Sequence, residues 1–496
     1  MIIYNNIVYG ISGDVVFNND TDEDKILINK NNRYYELKDG SLDIFKLLIS
    51  KNAFKLADEL KRNFLILYKV GLIERWIMKE IKISPNTNLF KYKEKFYISN
   101  LQYGNINELS EYNYNKLRSK NLNLSENDIN NLLMNNYLYY QSKQEFGEGG
   151  ISNKRVYIIF SYNCNMKCVY CFENHINKER ISNDSFNNVL TVLKDIDTQS
   201  QQTIVLYGGE PLLSENYKYI ESLFNQQFNN TKFEIITNGV NIAKYLSLFL
   251  KFRKVINQFI ITLDGTPEIH NKRRKYGLNS FNIIIKNIKD LIENGFFIKL
   301  RINLDEDNID CQPDLIQYLN NLFHDHNKDI IIEYHRVEKK EDLLYEPISF
   351  KRIYELSNII SNSRILISYS DEIINRFVNS NFYCRKEKSY NNYCDYYNNI
   401  IINYNGDIYH CNESMGNEDM IIGNVNDSNY YSNLDEKNFR IKYECNICQF
   451  FILCRGNCPM ENKIKMGSID KPVCKKQEFQ DLINFIIEKK KIAFLG

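Results

Sequence analysis

Cys164, Cys168 and Cys171 stand three residues and then two apart, inside Ser161-Tyr162-Asn163-Cys164-Asn165-Met166-Lys167-Cys168-Val169-Tyr170-Cys171. Three thiolates on one short loop can hold three corners of a four-iron cluster, which leaves the fourth iron open to bind a ligand directly. A zinc knuckle is the rival, but structural zinc wants four ligands, and the nearest further candidate, His175, lies four positions beyond Cys171. A second block follows. Cys394 is separated from Gly406 by eleven residues, Gly406 from Cys411 by four, and then come Cys445-x2-Cys448-x5-Cys454-x3-Cys458 and Cys474. Cys384 precedes that string, and Cys311 stands alone, reading as an ordinary buried thiol at the start of a helix. All twelve cysteines fall between Cys164 and Cys474, a distribution that favours metal or redox chemistry over a disulfide framework. Zinc at Cys445, Cys448, Cys454 and Cys458 would suit a tetrahedral ion but would leave the other three of that string unexplained.

Something must position these thiols. Apolar runs at 156–160, 203–207, 233–237, 259–263, 298–303 and 330–335 alternate with stretches of helical period such as 282–293, which predicts repeated strand-helix units, a parallel sheet and a partial (β/α)6 barrel in an α/β fold. In such folds chemistry gathers at the carboxyl ends of strands. The unusual residues sit there: the first cysteine block after the first strand, Gly208-Gly209-Glu210-Pro211 after the second, Thr237-Asn238-Gly239 after the third and Asp264-Gly265 after the fourth. Five segments are expected: 1–82, 83–150, 151–345, 346–480 and 481–496. In the first, 33–37 reads as strand and 41–49, 53–64 and 65–74 as short amphipathic helices, a winged-helix-like α+β pattern. The bridging segment carries a strand-rich piece at 89–105 and helical stretches around 108–137, and ends at Gly147-Glu148-Gly149-Gly150. The barrel occupies 151–345, the cysteine-rich tail 346–480, and the chain closes on an amphipathic helix near 477–489.

The first block, with an aromatic (Tyr170) just before its third cysteine, resembles the signature of the radical S-adenosylmethionine (SAM) superfamily. The resemblance implies that Cys164, Cys168 and Cys171 hold a 4Fe-4S cluster that binds SAM. Gly208-Gly209-Glu210 is similar to that family's loop orienting the methionine ammonium, with the glycines allowing close approach and Glu210 offering a carboxylate. Thr262-Leu263-Asp264-Gly265 with His270 and Arg274 resembles its fourth-strand signature, although Asn271 stands where Asp is usual. Thr262 and Asn303 are implied contacts to the SAM carboxylate and ribose, or else routine helix-capping polar residues. Arg274 and His270 read as structural bridges. Residues 384–480 resemble the SPASM domain, which implies two auxiliary 4Fe-4S clusters: Cys394, Cys411 and Cys458 for one, with Cys384 as candidate fourth ligand, and Cys445, Cys448, Cys454 and Cys474 for the other.

Residues 33–77 resemble the winged-helix element that grips the leader of a ribosomally made precursor peptide by strand addition, or form a packing module without a ligand. The implied enzyme cleaves SAM reductively, with an electron from a donor such as flavodoxin or ferredoxin, and modifies a precursor peptide, with a thioether or other crosslink as the favoured product. Sulfatase maturases of the same type place Asp as a base directly after the cysteine matching Cys411, where this chain has Asn412. A non-catalytic zinc or iron-sulfur protein is the alternative of another class. Composition excludes a bulk electrostatic footprint, because 63 basic residues against 62 acidic give a formal charge of +1 and no nucleic-acid or membrane partner is expected. Residues 1–10 lack the pattern of a targeting signal and no stretch reaches about 18 apolar residues. A cytoplasmic protein is expected.

Overall fold

A computed structural model of the chain describes residues 2–4, 7–11, 16–18, 26–30, 33–37, 54–55, 73–76, 81–84, 87–101, 104–135, 137–140, 154–171, 173, 179–276, 279–337, 347–370, 374–375, 377, 399–427, 445, 448, 450–454, 456–489 and 494–495. They fall into two compact units, 1–147 with 487–496, and 148–486.

The second unit is built on one sheet. Its strands are β1 (Lys154–Ile159), β2 (Gln202–Tyr207), β3 (Thr231–Thr237), β4 (Ile256–Thr262), β5 (Ile298–Leu304), β6 (Ile330–Arg336), β7 (Leu366–Tyr369), β8 (Asn399–Ile402), β9 (Asp407–Tyr409) and β10 (Gly423–Asn424). Between them run α1 (Asn183–Gln199), α2 (Tyr217–Phe224), α3 (Ile242–Lys251), α4 (Pro267–Arg273), α5 (Ser280–Glu293), α6 (Gln312–Leu322) and α7 (Phe350–Ile359), with α8 (Pro459–Met466) and α9 (Lys476–Lys489) closing the unit. The order across the sheet is β7-β6-β5-β4-β3-β2-β1-β8-β9-β10. Pairing is parallel from β7 to β8 and antiparallel through β9 and β10.

These residues dictate the elements. Thr203, Ile204, Val205 and Leu206 are all buried, as a mostly β-branched strand covered on both faces should be. In α5, Phe281, Ile284, Ile285, Ile288, Leu291 and Ile292 recur at helical spacing and are buried as one stripe. Ser182 caps α1 by accepting from Ser185 N, Ser349 caps α7, and α4 and α6 each carry proline in the first turn, where a missing N–H costs nothing.

The strand-helix alternation runs on past residue 345, since α7 and β7 add a further unit to the sheet. β7 is four residues of mixed polarity, Leu-Ile-Ser-Tyr, too short to carry a periodic signal. On the other side β8 takes the free edge of β1, from Arg155↔Asn399 to Ile158↔Ile402.

In the first unit, Thr87–Tyr92, Lys95–Asn100 and Asn105–Leu109 form an antiparallel meander, and Phe494–Leu495 joins its edge in parallel. Helices Glu111–Arg118 and Glu126–Met134 follow, capped by Ser110 and Ser125. Leu109, Tyr114, Leu117, Leu132 and Tyr137 share a core with Ile98. The strand expected at 33–37 is present, paired with Ile26–Lys30. Two residues of each helical span expected at 53–64 and 65–74 are strand: Phe54–Lys55 pairs with Ile2 and Ile3, and Ile73–Trp76 pairs with Ile7–Ile11. Residues 56–64 and 65–72 lie outside the described residues. Residues 41–49 lie outside the described residues. No helix among the described residues is long and apolar enough to cross a membrane.

Candidate functional site

The chain leaves β1 and enters the first cysteine loop within five residues. Lys167–Cys168 pairs antiparallel with Arg274–Lys275, and Val169 N donates to Arg273 O at 3.0 Å, so the segment after α4 forms the loop's backbone support. Cys171 N donates to Cys168 O at 3.3 Å. Cys164 Sγ faces two donors, Met166 N at 3.4 Å and Asn238 Nδ2 at 3.9 Å. Burial raises the Cys168 thiol and pushes the Cys171 thiol up to about 11. Such sulfurs lose their protons only to a centre that takes up their charge. Three thiols on one loop, one of them facing N–H donors, fit a cluster held by three cysteines. Among the described residues no three His, Cys, Asp or Glu side chains are gathered tightly enough for a single metal ion.

The Gly208-Gly209-Glu210 loop is locked onto this one. Both glycines have positive φ, +82° and +47°, and a Cβ on Gly209 would lie 2.2 Å from Asn163 O. Glu210 N donates to the same Asn163 O at 2.8 Å, and Gly209 N donates to Glu173 Oε2 at 2.8 Å. The structure spends the Glu210 carboxylate inside the protein, not toward a ligand. It is 1% exposed, and it accepts from Leu212 N (2.9 Å), Thr237 Oγ1 (2.6 Å) and Asn238 N (2.7 Å). Glu210 thereby ties the end of β2 to the end of β3, and Asn238 passes the tie on to the cysteine loop through Asn165 Oδ1 at 2.7 Å.

Tyr170, Asp264, Arg274 and Asn303 meet in one network. The Tyr170 hydroxyl bonds Asp264 Oδ2 and accepts from Arg274 Nη1 at 2.6 Å and Asn303 Nδ2 at 3.1 Å. Asn303 N donates to Asp264 Oδ1 at 3.0 Å. Thr262, the last residue of β4, is buried beside this network and is the backbone partner of Arg301 on β5. Arg273, which the sequence reading passed over, lies over the Tyr170 ring at 5.1 Å and grips Asp305 with both terminal nitrogens at 2.7 and 2.8 Å. The signal available in the sequence was the doubled arginine, Arg273-Arg274. His270 is buried and accepts from Asp264 N through Nδ1 at 3.3 Å, which puts its proton on Nε2. Burial and the two arginines push its pKa down to about 3. His270 and Arg274 thus bridge within the protein.

Residues 158–319 match the Radical SAM superfamily. The chain carries a radical SAM domain. Among curated proteins it is similar to the radical SAM cyclopropyl synthase TigE of Paramaledivibacter caminithermalis, with 25% identity over 382 residues that cover 70% of this chain and 76% of that one. It is also similar to the cysteine-type anaerobic sulfatase-maturating enzyme of Clostridium novyi, with 25% identity covering 60% of this chain and 85% of the relative. Streptococcus suis SuiB bound to S-adenosylmethionine shares its fold at a TM-score of 0.50 and 15% identity, over 94% of this chain and 99% of that one.

Beyond the radical SAM domain, the chain presents its second cysteine block on irregular backbone. Cys411 follows β9, its carbonyl accepting from Ser414 N and Ser414 Oγ at 3.0 and 2.6 Å. Cys448 N donates to Cys445 O, and Cys454 sits on the turn Phe451–Cys454. Burial raises the Cys454 thiol, and the charges of Cys445 and Cys448 add to it. Cys458 caps α8, and after burial its shift owes its charge contributions to Glu413 and Glu461. Successive turns join these thiols: Phe451 N donates to Cys448 O at 3.0 Å, Cys454 N to Phe450 O at 2.9 Å and Asn457 N to Cys454 O at 2.7 Å. Glu461 binds Lys475 at 2.9 Å and accepts from Asn457 at 2.8 Å, joining the segment after Cys474 to the one before Cys458. Cys384 and Cys394 lie outside the described residues. A direct contact links the two cysteine loops, since Tyr162 Oη lies 3.1 Å from Met415 Sδ.

Proposed function

We propose that this radical SAM enzyme is a peptide maturase carrying two auxiliary iron-sulfur clusters. The observation that carries the reading is the second cysteine block gathered on successive turns, with Cys448 N donating to Cys445 O at 3.0 Å and Asn457 N to Cys454 O at 2.7 Å, beside the Cys411 loop that touches the first cysteine loop through Tyr162 and Met415. By the SPASM resemblance, one cluster would be held by Cys445, Cys448, Cys454 and Cys474, the other by Cys394, Cys411 and Cys458 with Cys384 as candidate fourth ligand. Relatives named for cyclopropyl synthesis and sulfatase maturation support modification of a substrate within a larger molecule.

With cluster and SAM bound, the site supplies a 5'-deoxyadenosyl radical that takes a hydrogen atom from the substrate. The chain's residues do the rest. Cys164, Cys168 and Cys171 hold the cluster, Gly208 and Gly209 set the loop beside it, Glu210 and Asn238 fix that loop to the cysteines, and Thr262, Asn303 and Tyr170 lie where SAM would be oriented. A donor such as flavodoxin or ferredoxin supplies the electron, and a leader-bearing precursor peptide is the substrate. The sulfatase-maturase reading is weaker, because Asn412 is a carboxamide that takes up no proton at neutral pH.

Cys168→Ala abolishes 5'-deoxyadenosine release from the reduced enzyme, and release at the wild-type rate would refute the assignment. Anaerobic reconstitution gives about twelve iron per chain if three clusters form. Co-expression with a short cysteine-containing reading frame encoded beside this gene, followed by mass spectrometry, tests the substrate: loss of two hydrogens supports crosslinking and an unchanged mass counts against it.

A further inference from the structure

Along β5, Lys299, Arg301 and Asn303 lie on one face, and Ile298, Leu300, Ile302 and Leu304 on the buried other. β6 runs beside it with Arg301↔Glu333 and Asn303↔His335 in register, so Glu333 and His335 share the polar face. Glu333 is already neutralised there. Lys299 Nζ donates to its Oε1 at 3.2 Å, and His335 Nε2 lies 2.7 Å from its Oε2. Arg301 Nη2 donates to His335 Nδ1 at 3.2 Å, and since a guanidinium only donates, the imidazole proton sits on Nε2, toward Glu333.

Arg301 has no carboxylate partner among the described residues. The His335 contact is the only hydrogen bond the Arg301 side chain makes among the described residues, its Nε is buried with no partner, and no described carboxylate lies within ion-pair distance of it. Of the other inward cations, Arg155 Nη2 pairs with Glu234 at 2.6 Å, Lys299 with Glu333 and Arg273 with Asp305, while Arg274 donates to the Tyr170 hydroxyl, which is itself bonded to Asp264. A guanidinium with a buried, unused N–H beside a neutral imidazole has its desolvation cost uncompensated until an anion arrives. Arg301 also faces the chemistry. Asn303, two residues on along β5 and on the same face, donates through Nδ2 to Tyr170 Oη at 3.1 Å, so this face of β5 looks onto the first cysteine loop.

We propose that Arg301 is a carboxylate-binding residue of the barrel interior, its guanidinium plane held by His335 and its remaining N–H groups taking a carboxylate of a bound molecule. Two carboxylates can enter this space, the methionine carboxylate of SAM and an acidic group of the substrate, the second resting on the peptide reading above. One charge-assisted pair in a partly desolvated site corresponds to about 10- to 100-fold in affinity.

The test compares SAM with decarboxylated SAM by equilibrium dialysis on reconstituted wild type, Arg301→Gln and Arg301→Lys. It also follows N-acetylglutamate N-methylamide and its glutamine counterpart by ligand-observed NMR. If wild type prefers SAM over its decarboxylated form by about 10- to 100-fold and Arg301→Gln erases the preference while Arg301→Lys keeps part of it, the cofactor's carboxylate is the ligand. If the preference survives Arg301→Gln, but the glutamate probe binds wild type, fails to bind Arg301→Gln and exceeds the glutamine probe, the substrate's carboxylate is the ligand. Loss of neither overturns the proposal. Iron content shows whether each variant retains its cluster, with Arg301→Lys carrying the comparison if Arg301→Gln does not. Wild-type 5'-deoxyadenosine release and peptide mass report on the proposed function separately.

Discussion

Gly209→Ala tests whether the loop after β2 is seated on the cysteine loop by direct backbone contact. An alanine there must hold φ near +47°, which costs an L-residue about 1–2 kcal/mol. Its Cβ would also lie 2.2 Å from Asn163 O and 2.7 Å from Tyr162 C, both main-chain atoms that no rotamer change can move aside. Overpacking of this kind costs about 1–3 kcal/mol. Relief by separating the loops breaks the 2.8 Å bond from Glu210 N to Asn163 O, worth about 1 kcal/mol. The expected penalty is about 3–6 kcal/mol, part of it taken as displacement of the residue that precedes Cys164. Gly467→Ala is the control, because Gly467 has φ +72° and nothing within 4 Å of an added Cβ, so it incurs the conformational cost alone. Thermal denaturation of the reconstituted enzyme and equilibrium dialysis of SAM read the two effects. Gly209→Ala lowers the melting midpoint more than Gly467→Ala does and weakens SAM binding by at least about tenfold. Equal midpoints for the two variants, with wild-type SAM affinity in Gly209→Ala, would refute the backbone-contact argument.

Two further outcomes follow from buried charge. Arg273→Met strands the Asp305 carboxylate, 0% exposed, and is expected to destabilise the enzyme by about 3–5 kcal/mol in thermal or denaturant unfolding; Arg273→Lys recovers little, because an ammonium cannot make the two-pronged contact. His335 titrates from an ordinary 6.5 down to about 4, chiefly through burial and then the Arg301 charge, so the unfolded chain binds the proton first and stability falls as pH drops through that window. His335→Gln flattens the fall of the melting midpoint between pH 7.5 and about 5.5; an unchanged slope means that His335 titrates normally in the folded enzyme.

The barrel strands were readable because Ile158, Ile204, Ile235, Phe259 and Ile332 belong to apolar runs long enough to show themselves, and because glycines and cysteines mark the strand ends where ligands bind. β7 was not, being four mixed residues whose pairing with β6 comes from tertiary contact. The strands Phe54–Lys55 and Ile73–Trp76 escaped notice for a related reason: their partners at Ile2–Tyr4 and Ile7–Ile11 lie far away in sequence, and local period says nothing of them. At the site, residue types were legible and their partners less so. A carboxylate after two glycines reads as a ligand contact, yet Glu210 finds all three donors within the protein, two of them from Thr237 and Asn238 on a later strand end. Arg273 was hidden behind Arg274 because adjacent residues on a turn point to different neighbours, one to Asp305 and the other to Tyr170.

The parallel seam between β1 and β8 has a consequence for electron flow. β1 leads directly into the loop of Cys164, and β8 turns through β9 into the loop of Cys411, so the two loops spring from neighbouring rails of one ladder. If the proposed clusters form in both loops, the gap between them is set in part by these backbone hydrogen bonds. Tunnelling falls off steeply with distance, so the register fixed at this seam would bear directly on electron transfer between the two loops.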